Sequence, residues 1–600
     1  MTTREGYRFD SAYLIARDAL LAERTPDGYW VGELSTSALS TAVAVIALYL
    51  VDAEKHHAII TGGLRWLSEN QNADGGWGDT VKSFSNISTS MLCRATFAIA
   101  KAENEFAPTV QRLEAYLDAT CGRSPAERAE AIRNRYGKDR TFSVPILMTC
   151  ALAELVPWRE VPRLPFALAC LPQSWYRFLG FPVVSYALPA LIAIGQCVHH
   201  HRPTWNPVLA SQSLAKSPSL KVLRRIQPSS GGYLEATPLT AFVTMSLASI
   251  GKKDHEVARE GVRFLVDSVR PDGSWPIDTN LSIWVTTLSV NALAAAGDLD
   301  ALSEKEKLLT WLLGQQTKER HPYTGADPGA WGWSHHPGSV PDCDDTPGAL
   351  MAARSLDPAG DLGDILRGLR WVCGLQNRDG GWPTFCRGWG KLPFDRSGAD
   401  LTAHALRAFQ AAWGDAQQVR FATDPPMEHR FLHTISAAAV PSGLDYLRDH
   451  QRPDGSWLPL WFGNQHAADD INPVYGTARV LAAYRDWRRK NSEECQNGVS
   501  FLLNVQNTDG GWGGANDCPS SVEETAVAVE VLLDLAPGPQ VERGVLWLIE
   551  AVESGRFREP SPIGFYFAKL WYFEKLYPLI FTVAALGRAR VTSSRGAGSV

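Results

Sequence analysis

The stretch GLRWVCGLQNRDGGW, residues 368–382, contains the pattern that decides the fold. Its first glycine is followed three and four residues later by Trp371 and Val372, which places apolar side chains on one face of a helix. Gln376 ends that helix, and Asn-Arg-Asp-Gly-Gly is typical of a tight turn. Trp382 opens the next segment. The stretch therefore predicts a helix, a turn and a tryptophan that begins a loop.

The same unit recurs along the chain, and in each copy a glycine lies 14 residues before the final Trp. The other copies are GLRWLSENQNADGGW (63–77), GVRFLVDSVRPDGSW (261–275), GLDYLRDHQRPDGSW (443–457) and GVSFLLNVQNTDGGW (498–512). Degenerate copies begin at residues 25, 309 and 544. A second apolar helix follows each turn, as in LTAHALRAFQAAW (401–413). Because such units stack side by side, they predict an all-α fold in which the helices close into α/α toroids.

Composition excludes several classes of protein. The chain has 600 residues, of which 45% are hydrophobic and 20% charged, as in a folded globular protein. The net charge of -6 and the lack of a basic run argue against a nucleic-acid partner. Ten cysteines without a C-x-x-C pair, and an N-terminus without the apolar core of a signal peptide, predict reduced thiols in the cytosol.

One segment predicts contact with a membrane. Residues 178–198 carry no charge and are long enough to span a bilayer, although Pro182 and Pro189 interrupt them. A spanning helix, a buried core helix and insertion into one leaflet all agree with this composition. We favour monotopic insertion near residues 175–200, at the cytoplasmic face of the cell membrane.

The strongest chemical signal is VPDCDDTPGAL, residues 340–350, which carries Asp342, Asp344 and Asp345 within four positions. Carboxylates this close raise each other's pKa, and burial in an apolar cavity acts in the same direction. One of them would then be a neutral acid at pH 7, able to donate a proton. The residues alone leave open a divalent-cation site, or a helix cap formed by Asp345 or Thr346.

The repeats together with D-C-D-D-T resemble the squalene–hopene cyclase family, the class II terpene cyclases. The resemblance covers nearly the whole chain and continues in GADLTAHALRAF (398–409), PVYGTARVL (473–481) and the aromatic segment 565–589. It implies two α/α barrels, which would divide the chain into an N-terminal segment (1–25), a first barrel (26–290) and a catalytic barrel (291–600).

The resemblance also implies a reaction. Family members cyclise a linear polyprene without a metal or a cofactor, by protonating its terminal double bond. By match with the family's motifs, Asp344 is the acid, Asp342 and Asp345 tune its acidity, His404 hydrogen-bonds the acidic cluster, and Asp400 supports the site. Aromatic faces stabilise the carbocation without trapping it. The candidate rings are Trp284, Trp333, Trp389, Trp512, Tyr566 and Phe573.

Squalene is the substrate that the resemblance favours, and a shorter or prenylated polyprene or a prenyl diphosphate is the alternative. The stretch Asp469–Pro473 lacks the last Asp of the D-D-x-x-D motif that ionises a diphosphate, so a substrate diphosphate should survive. Membership of the family is also compatible with a homodimer.

Three rival functions would use the same toroid. In a zinc-dependent transferase the metal ligands would come from Asp342, Cys343, His335, His336 and His404. A carbohydrate-active enzyme would need an open polar cleft with paired carboxylates. A lipid-binding toroid without catalysis is the non-enzymatic reading.

Overall fold

The computed structural model describes residues 3–137, 139–172, 175, 185–322, 324–360, 362–385, 395–419, 427–565 and 569–597. Strands in these ranges form two short antiparallel pairs. β1 (Thr36–Ser37) pairs with β2 (Trp275–Pro276), and β3 (Ile563–Phe565) pairs with β4 (Leu570–Tyr572). Everything else of regular structure is helical, which confirms the predicted all-α fold.

The helices up to the middle of the chain are α1 (Thr3–Ala22), α2 (Ala38–Asp52), α3 (His57–Glu69), α4 (Ile87–Ile99), α5 (Ala107–Cys121), α6 (Pro125–Tyr136), α7 (Arg140–Leu152), α8 (Leu188–His201), α9 (Pro207–Ala210), α10 (Lys216–Ile226), α11 (Thr237–Ser249) and α12 (Glu256–Asp267). Those that follow are α13 (Ser282–Ala295), α14 (Lys305–Gly314), α15 (Asp345–Leu356), α16 (Gly363–Leu375), α17 (Ala399–Val419), α18 (Met427–Asp449), α19 (Pro473–Asp486), α20 (Glu493–Asn504), α21 (Val522–Leu535), α22 (Pro539–Glu553) and α23 (Tyr577–Ala597).

Two closed rings of inner helices organise the molecule. In the first barrel α2, α4, α7, α8 and α11 pack in that order, and α11 returns to α2. In the second barrel α13, α15, α17, α19, α21 and α23 pack in order, and α23 returns to α13. Because α13 belongs to the second ring, the predicted boundary after residue 290 falls inside this helix. Helix α1 packs against α22 and α23, so the N-terminal segment is part of the second barrel.

The repeat forms a joint between outer and inner helices. Gln376 Nε2 donates to the carbonyl oxygens of Gly380 and Ala439, which ties the turn to the next outer helix. Trp382 Nε1 donates to Val372 O at 2.8 Å, and its backbone N–H donates to Thr402 Oγ1 on inner helix α17. The indole therefore holds its own helix end, while the threonine fixes the rotation of the next inner helix.

This joint recurs in all five full copies and at further places, but not in the degenerate copy that begins at residue 544. A backbone N–H donates to a Ser or Thr hydroxyl at Trp30–Thr286, Trp77–Ser90, Tyr233–Thr240, Trp275–Thr41, Trp331–Thr346, Trp457–Thr477 and Trp512–Thr525. The copy ending at Tyr233 was not predicted, because tyrosine replaces the tryptophan. The copy ending at Trp331 was predicted only as far as its helix.

The segment predicted to insert into a membrane, near residues 175–200, is described only in part. Its described part includes α8, which is an inner helix of the first barrel, and Leu188–Val198 are buried except for a partly exposed Ala190. Phe166 packs so closely on Gly195 that a Cβ there would lie 2.9 Å from it. Packing in the core therefore accounts for the lack of charged residues in α8. Among the described residues, no helix is both long and apolar enough to cross a bilayer. Residues 178–184 lie outside the described ranges.

Candidate active site

The joints set which side chains face the axis of the second barrel. In four of the joints of the second barrel, the residues two positions before the threonine are Trp284, Asp344, Asp400 and Tyr475, on four successive inner helices or their first turns. All four line one internal cavity of about 80 Å³. Residues four and seven positions later share the same helical face. They add Leu288, Asn291, Met351, His404, Arg407 and Arg479 to the cavity wall.

Asp344 presents a free carboxyl group to this cavity. It lies at the start of α15, and its carboxyl group makes no hydrogen bond to any described residue. Burial, together with the neighbouring carboxylates of Asp342 and Asp400, raises the pKa of Asp344 well above its usual range. This shift favours the protonated carboxylic acid, which is the form that can give up a proton.

Asp342 and Asp345 form a buried pair behind the acid. Asp342 Oδ1 accepts the backbone N–H groups of Asp344 at 2.8 Å and Asp345 at 2.7 Å, so Asp342 caps the first turn of α15. Burial raises the pKa of Asp342 to about 6 and, with the Asp342 charge, raises that of Asp345 well above its usual range. Asp345 is therefore the neutral member of the pair. The alternative cap by Thr346 is wrong, because its hydroxyl group belongs to the Trp331 joint.

His404 and Asp400 come from α17, the inner helix next to α15. Burial, with the positive charges of Arg407 and Arg479, holds the pKa of His404 well below its usual range, so the imidazole is neutral. Its ring lies edge-to-face with Trp284, with 5.9 Å between centroids. Within the described ranges its side chain makes no hydrogen bond, so the predicted bond to the acidic cluster is not formed. Asp400 Oδ1 accepts Leu460 N–H at 2.9 Å, and burial raises the pKa of Asp400 to about 6.

Aromatic rings form much of the remaining wall. Trp284 Nε1 donates to Tyr577 Oη at 2.9 Å, and this oxygen lies 3.0 Å from Tyr572 Oη. The bond fixes the indole against the cavity. Phe462 and Phe581 also line the cavity, beside Tyr475. The acid thus faces a space that offers π faces to a cation.

A second group of rings lies where the two barrels meet, and we call it the junction cluster: Tyr186, Trp333, Phe385 and Trp461. The Phe385 ring centroid lies 6.1 Å from that of Trp333, 6.1 Å from that of Trp461 and 6.2 Å from that of Tyr186. Thr384, the residue before Phe385, accepts Cys343 N–H with its carbonyl oxygen at 2.8 Å. Its hydroxyl oxygen accepts Trp461 Nε1–H at 2.8 Å. Thr384 therefore links the cluster to the turn that carries Asp344.

The other predicted rings fall elsewhere. Trp512 has no exposed surface, its indole N–H donates to Leu502 O, and it packs on Gly544. A side chain without accessible surface cannot line a cavity, so the prediction that Trp512 faces substrate is corrected: it is a joint residue. Phe573 is half-buried beneath Lys82, whose Nζ lies 5.3 Å from the ring centroid. Trp389 and Tyr566 lie outside the described residues.

The residues of the rival zinc site are occupied in other ways. His335 Nδ1 lies 2.8 Å from Ser282 Oγ, His336 Nε2 lies 3.0 Å from Asn280 Nδ2, and Cys343 is fully buried. Within the described parts of the chain, no three His, Cys, Asp or Glu side chains converge on a point that could hold a metal.

Comparison with known proteins agrees with the arrangement of the two barrels. A family model for the squalene-hopene cyclase C-terminal domain matches residues 281–591, and one for the N-terminal domain matches residues 14–102. The chain belongs to the squalene–hopene cyclase family. It is therefore a member of the class II terpene cyclases.

Individual relatives of this cyclase are distant. A probable squalene–hopene cyclase of Sinorhizobium fredii is 25% identical, and the alignment covers 94% of each chain. Enfumafungin synthase of Hormonema carpetanum is 26% identical over 93% of this chain and 46% of its own length, so this chain spans about half of that protein. In fold it is similar to ent-copalyl diphosphate synthase from Streptomyces platensis, with a TM-score of 0.59, 17% identity, and coverage of 98% of this chain and 99% of that one.

Sequence reasoning did not single out four cavity residues of this cyclase: Tyr475, Arg407, Arg479 and Glu530. The signal that could have found them is the spacing from the joint threonine. Tyr475 precedes Thr477 by two residues, as Asp344 precedes Thr346. Arg479 then follows by one helical turn on the same face.

Proposed function

We propose that this protein converts squalene, or a polyprene of similar length, into a polycyclic product by protonating its terminal double bond. The observation that carries the proposal is the carboxyl group of Asp344, which has a raised pKa that favours its protonated form and faces a cavity walled in part by aromatic rings. An alkene is a weak base, so it needs a strong acid in a dry site and a surface that tolerates positive charge.

The reaction follows from this geometry. The Asp344 proton passes to the less substituted carbon of the terminal double bond, and the π electrons of that bond form the new C–H bond, which leaves the positive charge on the more substituted carbon. The resulting tertiary cation is attacked by the next double bond of the same chain, which closes a ring and moves the cation along. The cascade ends when a C–H proton is lost, giving an isomer of the substrate, or when water adds, giving its hydrate.

The rings supply the stabilisation. A desolvated cation over an aromatic face gains on the order of 2 kcal/mol. Trp284 and Tyr475 lie on the wall beside the acid, where the first cation would form. Carbon π faces stabilise positive charge without a lone pair that could bond to it and end the cascade.

The substrate would extend from the acid towards the junction of the barrels. A cavity of about 80 Å³ accommodates only the reacting end of a long polyprene, since pockets for whole ligands are typically about 300–1,000 Å³. The junction cluster adjoins the Asp344 turn through Thr384, so its rings would contact the rest of the chain.

We also propose that the protein takes its substrate from a membrane surface. Three large apolar side chains are exposed in the segments that flank α8 in the sequence: Trp175 (49%), Trp205 (103%) and Leu214 (84%). Exposed tryptophan side chains with nearby cations are typical of an interfacial binding surface. Replacing Trp205 and Leu214 with Ser should reduce co-sedimentation with phospholipid vesicles, and unchanged sedimentation would argue against this surface.

The experiment that tests the reaction is product analysis by gas chromatography–mass spectrometry. Detergent-solubilised protein is incubated, with a chelator present, with squalene and separately with shorter polyprenes and prenyl diphosphates. Conversion of squalene that vanishes in Asp344→Asn, but persists in a control replacing the exposed Asp300 with Asn, supports the proposal. Conversion of a prenyl diphosphate alone would establish the alternative substrate. Conversion that survives Asp344→Asn would overturn the assignment of the acid.

A further inference from the structure

Arg479 brings a positive charge into the same cavity as the proton donor. It lies on α19, one turn after Tyr475, and lines the cavity with Asp344. Its Cζ atom lies 4.7 Å from the Tyr475 ring centroid and 5.0 Å from that of Phe581. One guanidinium nitrogen, Nη2, is buried without a hydrogen-bond partner. Two ring faces therefore hold Arg479 in place, and no carboxylate of the described residues pairs with it.

The neighbouring arginines differ because each has a carboxylate partner. Arg407 Nε lies 2.7 Å from an Asp486 oxygen, Arg485 Nη1 lies 2.8 Å from a Glu530 oxygen, and Arg588 Nη2 lies 3.5 Å from the same Glu530 oxygen. The charges of this network largely cancel each other. The charge of Arg479 is not cancelled in this way, so its field acts on the groups that share the cavity.

We infer that Arg479 is a positioning residue that strengthens Asp344 as an acid, because its fixed charge stabilises the carboxylate left after proton transfer. The inference rests on the proposed function. The same role explains how the positive charge of Arg479 is tolerated near the carbocation that forms on the substrate. When the substrate gains its positive charge, Asp344 gains a negative one, and Arg479 is then the partner of that new carboxylate.

The other groups around Asp344 do not supply this effect. On its own turn, Asp342 and Asp345 carry no positive charge. On α17, Asp400 is a carboxyl group, His404 is neutral, and Arg407 is paired.

The remaining neighbours of Asp344 are also not cationic. On α19, burial raises the pKa of Tyr475, and the same holds for Tyr572 and Tyr577, so these phenols are neutral. Glu530 on α21 is anionic and paired. Burial, Asp342 and Asp400 raise the pKa of Asp344, and Arg479 opposes them.

The test is the pH dependence of the cyclisation rate in Arg479→Gln, Arg479→Lys and a control, Arg588→Gln. Because Asp344 must be protonated, the rate falls as pH rises through its pKa. Loss of the positive charge in Arg479→Gln should move this decrease in rate to higher pH by about half a unit and lower the rate on the acid side by up to about threefold, because half a pKa unit is a factor of about three. Arg479→Lys should keep the fall near the wild-type pH. Arg588→Gln removes a positive charge that is paired with Glu530 and lies outside the cavity, so it should leave the pH of the decrease unchanged.

A second readout does not depend on turnover. Infrared difference spectra of protein with 13C-labelled aspartate show the protonated carboxyl band, which Asp344→Asn assigns, and its titration gives the pKa directly. A midpoint that rises in Arg479→Gln supports the inference. An unchanged or lower midpoint in a folded variant overturns it. If the wild type cyclises no compound tested, the proposed function fails, while this titration still decides whether Arg479 acts on Asp344.

Discussion

Replacing Asp400 with Asn should stabilise the second barrel at pH 8 and change its stability little at pH 4. Asp400 is only 6% exposed, one of its oxygens accepts Leu460 N–H at 2.9 Å, and the other is buried without a partner. An asparagine oxygen can accept the same bond. The substitution therefore removes a buried ionisable group and retains the hydrogen bond to Leu460.

The magnitude follows from the pKa of this carboxyl group, which burial raises from 3.8 to about 6. Since the folded-state pKa is raised, the contribution of Asp400 to stability is fully present below pH 3.8 and is lost as pH rises through 6. One pKa unit corresponds to about 1.4 kcal/mol, so the loss is about 3 kcal/mol by pH 8. Asn does not titrate, and the variant should gain this amount relative to the wild type between pH 4 and pH 8.

The assay is urea unfolding at both pH values, followed by circular dichroism. Asp486→Asn is the matched control. Burial alone would raise the pKa of Asp486, but Arg407 and Arg485 together hold it below its usual range, so this variant should be less stable at pH 8. If Asp400→Asn were no more stable than the wild type at pH 8, burial would not raise the pKa of Asp400 as we infer.

Three further results are expected. Trp512→Phe should lower the free energy of unfolding by about 3 kcal/mol, because the smaller side chain leaves a gap in the core and cannot donate a hydrogen bond to Leu502 O. Unfolding in urea measures this loss, and a slower cyclisation rate without a loss of stability would place Trp512 at the substrate instead. Tyr577→Phe should cost about 1 kcal/mol in stability and lower the cyclisation rate severalfold, because Trp284 loses the hydroxyl group that orients it. Initial rates measured with and without a chelator should agree, since the proposed proton transfer uses a carboxylic acid; a rate lost with chelator and restored by a divalent cation would contradict this.

The sequence predicted the fold because its signal is local. Gln376 and Trp382 lie six residues apart. Gln376 donates to Gly380 O in the turn and Trp382 donates to Val372 O in the preceding helix, so both acceptors are close in the sequence. The joint at Tyr233 was missed because a phenol replaces the indole. The Tyr233 hydroxyl group nevertheless donates to Leu223 O, as the indole N–H of Trp382 donates to Val372 O. Shape and hydrogen bonding, rather than residue identity, define the joint.

The site was predicted in part. Asp344, Asp400 and His404 were predicted from motifs and Trp284 from its position, and the structure brings all four to one cavity. Tyr475 and Arg479 were not, because the rotation of α19 is set by the long-range bond between Trp457 N–H and Thr477 Oγ1.

Helix α8 shows the limit of composition as a guide. A helix surrounded by protein on all sides and a segment inserted in lipid have the same apolar sequence. Only the packing of Leu188–Val198 inside the first ring distinguishes the two. The exposed side chains of Trp205 and Leu214, which the sequence did not single out, are the better candidates for membrane contact.

The central claim is that the proton of Asp344 starts the cyclisation, and reaction in deuterated water tests it most directly. A carboxylic acid exchanges its proton with solvent, so each cyclised molecule should gain one deuterium at the carbon that was protonated, detected by mass spectrometry and located by NMR. Asp344→Asn should give no deuterated cyclic product. A wild-type product that contains no deuterium, or a deuterated product formed equally well by Asp344→Asn, would contradict the account.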